Sequence, residues 1–470
     1  MKHTFYPYII LLTLVSTFSA CRVGRNYQQP EAPLPAAFTG NATTDSSIAT
    51  ISWKQFFQDP LLQQLIDSTI SNNLDLKIAL QRIEASEAYV KQARAAFLPS
   101  VNAQITGSTS FPSKHSLNGL SLENFLKTNH IEDYNLSLGA SWEADIWGKI
   151  RRQKEAAIAQ YLQTYEGARA VQTALVADVA NGYINLLMLD AQLRIANRNV
   201  ALSDTIVQMM NLQKTSGEVT ELAVQQAVSQ KQSAAKLVPQ LEQAIAIQQN
   251  AIKLLGAQLP GEVVRIGDIN EFTPWEALHT GVPAALLQYR PDVKAAEQRL
   301  VAANAQVGVA QANLYPSLSI TANGGLNAFK ASQWFTLPGS LFATAAGSIT
   351  QPIFQRRQLK TQVEVATTQR EEAVFAFRQS VLTAVHEVSN NLVSIDKLKS
   401  QEQIAIDQQQ VTHAAVNNAQ LLFKSGMANY LEVITAQSNA LQAELSLADI
   451  HRQQLQAVAN LYRSLGGGTQ

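Results

Sequence analysis

The sequence predicts a mainly α-helical, internally duplicated chain that also carries four membrane-type β-strands, and three observations predict it. Long stretches rich in Ala, Gln and Leu run without proline, and these residues lose little conformational freedom on entering a helix. Two pairs of shorter segments switch to apolar/polar alternation, the period of a strand with two unlike faces. A set of landmarks also occurs twice in the same order: Asn73-Leu74-Asp75-Leu76 is echoed at Arg290-Pro291-Asp292-Val293, and Leu98-Pro99-Ser100 at Tyr315-Pro316-Ser317.

The chain has 470 residues, a formal net charge of +0 and only 15% charged residues. Neutrality removes the general electrostatic case for binding nucleic acid or an anionic lipid surface. The single cysteine, Cys21, excludes a disulfide framework and a Cys-based metal site. Lys2, an apolar run over 8–18 and Ser19-Ala20-Cys21 have the shape of a signal peptide that closes on a lipobox. The run is too short to span a bilayer. Residues 1–20 therefore read as a signal peptide, with covalent lipid expected on Cys21; plain cleavage beside an incidental cysteine is the alternative. Two or more acyl chains would anchor the chain stably. Residues 21–52 are Pro-, Thr-, Ser- and Asn-rich without periodicity and read as a lipidated tether, with order beginning at Trp53.

The first repeat covers 53–259. Apolar residues at helical spacing predict a helix over 61–97, ended by Leu98-Pro99 because the residue before proline is pushed out of the α region. Val101, Ala103 and Ile105 then alternate with Asn102, Gln104 and Thr106. After a polar loop, Tyr134, Leu136, Leu138 and Ala140 alternate with Asn135 and Ser137. A proline-free helix follows over 151–215, about 100 Å long at 1.5 Å per residue, and so long a helix needs a partner for its apolar stripe. Ser216-Gly217 breaks it. Another helix runs from Glu221 to Leu255, with Pro239 predicting a local distortion and Gly256 a C-terminal stop.

A Pro/Gly-containing connection over 260–283 leads to the second repeat, 284–466, and a tail over 467–470. Leu318, Ile320 and Ala322 begin a third strand, and Ala343, Ala345 and Ile349 form a weaker fourth. A second very long helix ends at Ser425-Gly426 and the last one at Leu465-Gly466. The echo lies 217 residues on before the strands and 209 on at the Ser-Gly turns, so the second copy is shorter in its strand hairpin.

Strands of this length fit a transmembrane barrel, and their polar faces carry Ser, Thr, Asn and Gln with few charges. Phe111, Tyr134, Trp142, Trp147 and Phe354 sit near strand ends, as in an interfacial girdle. Four strands cannot close a barrel, and an open edge is not tolerated in lipid, so several chains must contribute provided that the strands lie in lipid; a water-soluble sheet with one face on a core is the alternative. In each repeat two half-length helices match one full-length helix, which predicts a helical cylinder continuing the barrel lumen. Arg151, Arg152, Arg356 and Arg357 each follow a strand hairpin and read as anchors near lipid headgroups. No catalytic or metal-ligating constellation emerges: the histidines are scattered, and His386-Glu387 reads as an ordinary surface pair. Leu465-Gly466-Gly467-Gly468 reads as a helix stop, since no strand precedes it.

Trp53-Lys54-Gln55-Phe56-Phe57-Gln58-Asp59-Pro60-Leu61, followed by Asn73-Leu74-Asp75-Leu76, resembles the start of the outer-membrane factor family, the TolC-like channels, in its lipoprotein branch. Arg290-Pro291-Asp292-Val293 with Tyr315-Pro316-Ser317, and the run from Ser425 to Val433, resemble two further family segments. The resemblance implies a homotrimer with a twelve-stranded outer-membrane barrel, lipid-anchored and reaching into the periplasm. It implies docking to a periplasmic adaptor and an inner-membrane pump of the RND type, in a passive, non-enzymatic efflux conduit without cofactor. The adaptor-docking tip maps to Gly217, Glu218 and Val219 and to Gly426, Met427 and Ala428. The pore constriction maps to Leu431, with Thr435 and Ser438 where many relatives carry Asp and Arg, so a neutral constriction is expected. The alternatives are the outer-membrane component of a type I secretion system, a periplasmic adaptor lipoprotein and a soluble coiled-coil scaffold.

Overall fold

The change of period from helix to strand and back, read along the chain, sets the order of elements. The computed structural model describes residues 23–32, 34, 35, 38, 47–122, 127–272, 281 and 283–468. Cys21 and the predicted signal peptide lie outside the described residues, as do parts of the predicted tether and of the 260–283 connection. The first copy contains helices α1 (Trp53–Phe56), α2 (Pro60–Asn72) and α3 (Leu74–Ala95), strand β1 (Ser100–Ser110), a short α4 (Leu117–Ser121) and strand β2 (Ile131–Ala144). It ends with α5 (Lys149–Thr215) and α6 (Glu221–Leu255). The second contains α7 (Leu286–Tyr289), α8 (Pro291–Ala312), β3 (Ser317–Ala328), β4 (Leu341–Thr350), α9 (Gln358–Lys424) and α10 (Tyr430–Ser464).

The duplication is visible in element lengths. Helices α3 and α8 have 22 residues each, α5 and α9 have 67, and α6 and α10 have 35. The two copies differ in the hairpin connection, which spans 111–130 in the first and only 329–340 in the second.

Three expectations need correction. The predicted helix over 61–97 is broken at Asn73, whose ψ of 128° leaves the α region. Its Oδ1 accepts the Leu76 N–H at 2.8 Å and its Nδ2 donates to the Leu255 carbonyl at 2.9 Å, so the side chain caps α3. The corresponding break in the second copy is Arg290, held extended (ψ 117°) ahead of Pro291. Pro239 does not interrupt α6, which runs through it as one helix.

The third correction concerns the tether, since order begins before Trp53. In the unit formed by 23–30, 84–162 and 298–375, Arg152 is buried and donates to the Gly24 carbonyl at 3.1 Å and to Asn26 Oδ1 at 3.0 Å. Asn304 donates to the Arg25 carbonyl at 3.1 Å. Gly24 has φ +86°, and a Cβ there would lie 2.9 Å from the Gly308 Cα, so this strap needs glycine at its closest approach. The same unit holds one antiparallel sheet in the order β1-β2-β3-β4.

The second unit comprises 31–83, 163–297 and 376–470 among the described residues. Phe56, Phe57 and Tyr462 are fully buried there, Phe56 stacking on Tyr462 with ring centroids 4.1 Å apart. Leu62, Ile66, Ile184, Leu186 and Leu187 are equally buried. Ile48 and Ala49, in the predicted tether, join this core, and Tyr462 donates to the Ile51 carbonyl at 2.7 Å.

Candidate functional site: a two-faced sheet and two helical turns

Strand register decides what each sheet face presents. Ile105 lies opposite Leu136, which lies opposite Leu326. Val101, Ala140, Ala322 and Ala345 form another row, and Leu318 faces Ile349. The alternate face pairs Gln104 with Ser137, Ser141 with Thr321, and Asn323 with Thr344. On it the Ser319 and Ser348 hydroxyls are 2.7 Å apart. The apolar face is not packed on a core: Ile105 is 71% and Ile349 75% exposed. That is the reverse of a water-soluble sheet, whose apolar face is covered. Strand β1 bonds only to β2 and β4 only to β3, so both sheet edges lack a strand partner among the described residues. Trp147 stacks on Tyr315 at 4.8 Å and donates to the Pro316 carbonyl at 2.7 Å, at the helix-facing ends of β2 and β3. No described helix is long and apolar enough to cross a membrane.

The two turns between the helix pairs are built alike. Gly217 and Gly426 adopt φ of +78° and +75°, which suits glycine at a helix C-terminus. Each turn closes with a bond five residues back, Glu218 N–H to the Gln213 carbonyl and Met427 N–H to the Leu422 carbonyl, both 2.9 Å. The side chains sort into two groups. Gly217, Glu218, Gly426 and Met427 are exposed, Met427 by 73%, whereas Val219 and Ala428 turn onto a buried cluster. That cluster joins the two helix pairs: Ile206, Met210, Ala223, Val224 and Ala227 come from the first, Phe423 and Val433 from the second. Asn429 caps α10 by accepting the Glu432 N–H at 3.1 Å.

Leu431, Thr435 and Ser438 occupy one exposed ridge of α10, at the spacing that aligns residues on a helix face. Val433, Gln437 and Ala440 are buried on the other side. The ridge carries no charge. Sequence reasoning missed the neighbouring Tyr430, whose hydroxyl donates to Gln226 Oε1 and links the two helix pairs. The one available signal was an aromatic hydroxyl directly beside Leu431.

Two buried polar assemblies hold the second unit. Arg290 is 5% exposed; it donates to both Asp292 oxygens (2.9 and 2.5 Å), to Glu387 at 2.7 Å and to the Ser464 carbonyl at 3.0 Å. Glu387, read from the sequence as half of a surface pair, is thus an anchor for Arg290. Burial by itself would raise the Asp292 carboxyl, but the hydrogen bonds and charge of Arg290 outweigh it and hold the group below its usual value. The other assembly centres on Tyr183, fully buried between Asp59 and the Ile266 N–H.

A sheet with one lipid-compatible face, one polar face and two free edges, carried on long paired helices, defines a channel-forming outer-membrane protomer. The chain belongs to the outer membrane efflux protein family, whose model matches 65–257 and 282–467, one segment per repeat. It is 31% identical over 479 residues to the toluene efflux pump outer membrane protein TtgC of Pseudomonas putida, covering 97% of this chain and 95% of that one. It is 28% identical over 461 residues to the outer membrane protein OprJ of Pseudomonas aeruginosa, with the same coverage. Among solved structures, the outer-membrane channel OprN superposes with a TM-score of 0.87 at 27% identity, covering 96% of this chain and all of that one. The open state of the Neisseria gonorrhoeae MtrE channel does so with 0.85 at 25%, covering 96% and 99%.

Proposed function

We propose that this chain is the outer-membrane channel subunit of a tripartite efflux system, a passive conduit that receives small molecules from a periplasmic adaptor and an RND-type inner-membrane pump. One observation carries the reading: a four-stranded sheet with an exposed apolar face and two unpaired edges. The apolar face suits lipid, but unpaired edges are not tolerated there until they meet strands of other copies. Three copies, with β1 of each pairing with β4 of the next, give twelve strands and leave no edge. The polar faces then line a neutral lumen, and lipid on Cys21 adds an anchor.

The exposed turn residues Gly217, Glu218, Gly426 and Met427 are the adaptor-docking points, while Val219 and Ala428 brace them from behind. Leu431, Thr435 and Ser438 form an uncharged constriction. The boundaries at 53–259, 260–283 and 284–466 delimit two repeats and their connection. A relative named for toluene efflux and a family named for outer-membrane efflux support efflux over type I secretion. Purified protein added to planar bilayers tests the assignment: stepwise conductance from a species of trimer mass is expected, and a monomer without pores would refute it.

A further inference from the structure

The two junctions where the sheet hands over to a long helix are related by the 209-residue step. Asp145, Trp147, Gly148 and Arg151 thus correspond to Phe354, Arg356, Arg357 and Lys360. At the first junction acids neutralise the cations and the backbone: Glu143 pairs with Lys149, and Asp145 accepts the N–H groups of Ile150 at 2.8 Å and Arg151 at 3.0 Å. The second has no carboxylate anywhere over 351–363. Arg356, Arg357 and Lys360 are all exposed there, and Glu364 engages Arg357 at 2.9 Å.

Backbone conformation sharpens the contrast. Gly148 has φ +79°, as glycine readily does, yet Arg356 and Arg357 adopt +49° and +67°, where a side chain is disfavoured. Two cations are therefore kept where glycine would be easier. Directly before them, Ile353 and Phe354 are 89% and 84% exposed and come just after the end of β4. Gln355 lines the same cavity as Trp147, Lys149 and Tyr315, so the stacked aromatic pair lies beside this segment; Glu143 and Asp145 also line it, already engaged by Lys149 and by the Ile150 and Arg151 N–H groups. Apolar side chains, aromatics and then cations is the order met on leaving hydrocarbon for headgroups.

We propose that Ile353, Phe354, Arg356, Arg357 and Lys360 form a binding patch for anionic phospholipid headgroups at the helix-facing rim of the sheet, a site that rests on the channel reading above. Acyl chains lie against Ile353 and Phe354, and phosphate oxygens accept from the guanidinium groups, whose planar fork suits them. Neutral phosphatidylcholine offers the same phosphate but cancels its charge, so the patch discriminates by net headgroup charge.

The test uses full-length protein in neutral detergent, titrated with phosphatidylglycerol or phosphatidylcholine while melting temperature and lipid retained in native mass spectra are followed. Phosphatidylglycerol is expected to stabilise and to remain bound, and phosphatidylcholine is not. The double variant Arg356→Gly/Arg357→Gly suits the local backbone, so it should melt at least as high as wild type without lipid. Its phosphatidylglycerol affinity should fall roughly thirtyfold, the loss expected for two basic residues at an anionic surface. An unchanged preference in the variant, or equal response of the wild type to both lipids, overturns the site. Stabilisation by inorganic phosphate alone would replace the lipid by a free anion and overturn it too. Conductance in pure phosphatidylcholine bilayers separates the two readings: pores from both proteins keep the channel whatever the patch does, and no pores from the wild type count against the channel itself.

Discussion

Tyr183 donates its hydroxyl hydrogen to Asp59 Oδ2 at 2.5 Å while the other carboxylate oxygen of Asp59 accepts the Leu61 N–H at 2.8 Å. One carboxylate thus caps α2 and holds a phenol of α5, and the same phenol oxygen accepts the Ile266 N–H at 3.1 Å. Burial, reinforced by the bond to Asp59, pushes the Tyr183 phenol above its usual range, so it stays a donor at all working pH values. Tyr183→Phe keeps the ring but takes a partner from Asp59 and from the Ile266 N–H, both half-buried. The expected loss is about 1 kcal/mol, the worth of an ordinary hydrogen bond. Urea unfolding of the detergent-solubilised protein checks it; a change within error would mean that water replaces the hydroxyl.

Arg290 gives a prediction with a pH sign. Its guanidinium is buried, but Asp292 and Glu387 keep 44% and 38% of their side-chain surface, so they rehydrate in part when it is removed. Arg290→Ala should therefore cost about 3 kcal/mol, toward the lower end for breaking a buried pair, and Arg290→Lys should rescue little because it lacks the two-pronged donor. The folded-state value of Asp292 is depressed below 3.8. Its contribution is then fully present above that value and disappears as pH falls through the lower, folded one. Melting temperatures measured from neutral to strongly acid pH should show a shallower acid decline in Asp292→Asn than in the wild type. Parallel curves would exclude this carboxylate as a contributor.

Tyr430 and Gln226 lie on different helix pairs, and their hydrogen bond reinforces the apolar cluster that joins them. Tyr430→Phe retains the ring and removes only the bond, a loss of about 1 kcal/mol, or about fivefold if parting of the two helix pairs opens the proposed constriction. Single-channel recordings should show a correspondingly longer open time in the variant, with unchanged unit conductance. Leu431→Ala provides the contrast, since trimming the exposed ridge should widen the proposed constriction and raise unit conductance. Identical recordings from Leu431→Ala and wild type would remove Leu431 from the constriction.

These residues mark how far the sequence could be read. Helical and strand periods and the repeat were legible because each is a pattern over many positions, and the turn glycines because φ near +75° leaves few alternatives. Asn73 was not: a polar residue that caps the next helix occupies the same place in the pattern as one facing solvent. The docked strap over 23–30 was also hidden, because Arg152 and Asn304 reach backbone carbonyls of Gly24 and Arg25, which any residue could present. Tyr430 and Gln226 are 204 residues apart, and no local spacing announces such a pair.

Two strand glycines test the sheet itself. A Cβ on Gly325 would sit 2.0 Å from the Leu136 carbonyl oxygen and 2.7 Å from the Ser137 Cα, both backbone atoms of the adjoining strand. No rotamer change relieves such a clash, so Gly325→Ala must force β2 and β3 apart across the polar face. Gly347 on β4 meets nothing within 4 Å, and its register partner Ile320 belongs to the apolar face. A methyl group at 347 would point where lipid is expected and should even suit it. Gly325→Ala is therefore expected to lose assembly and Gly347→Ala to keep it, read as the fraction running as a heat-sensitive oligomer on gels and as pore-forming activity. Equal assembly of both variants would mean that the β2–β3 approach is looser than the register requires, and a failure of Gly347→Ala alone would place a packed neighbour, rather than lipid, against β4.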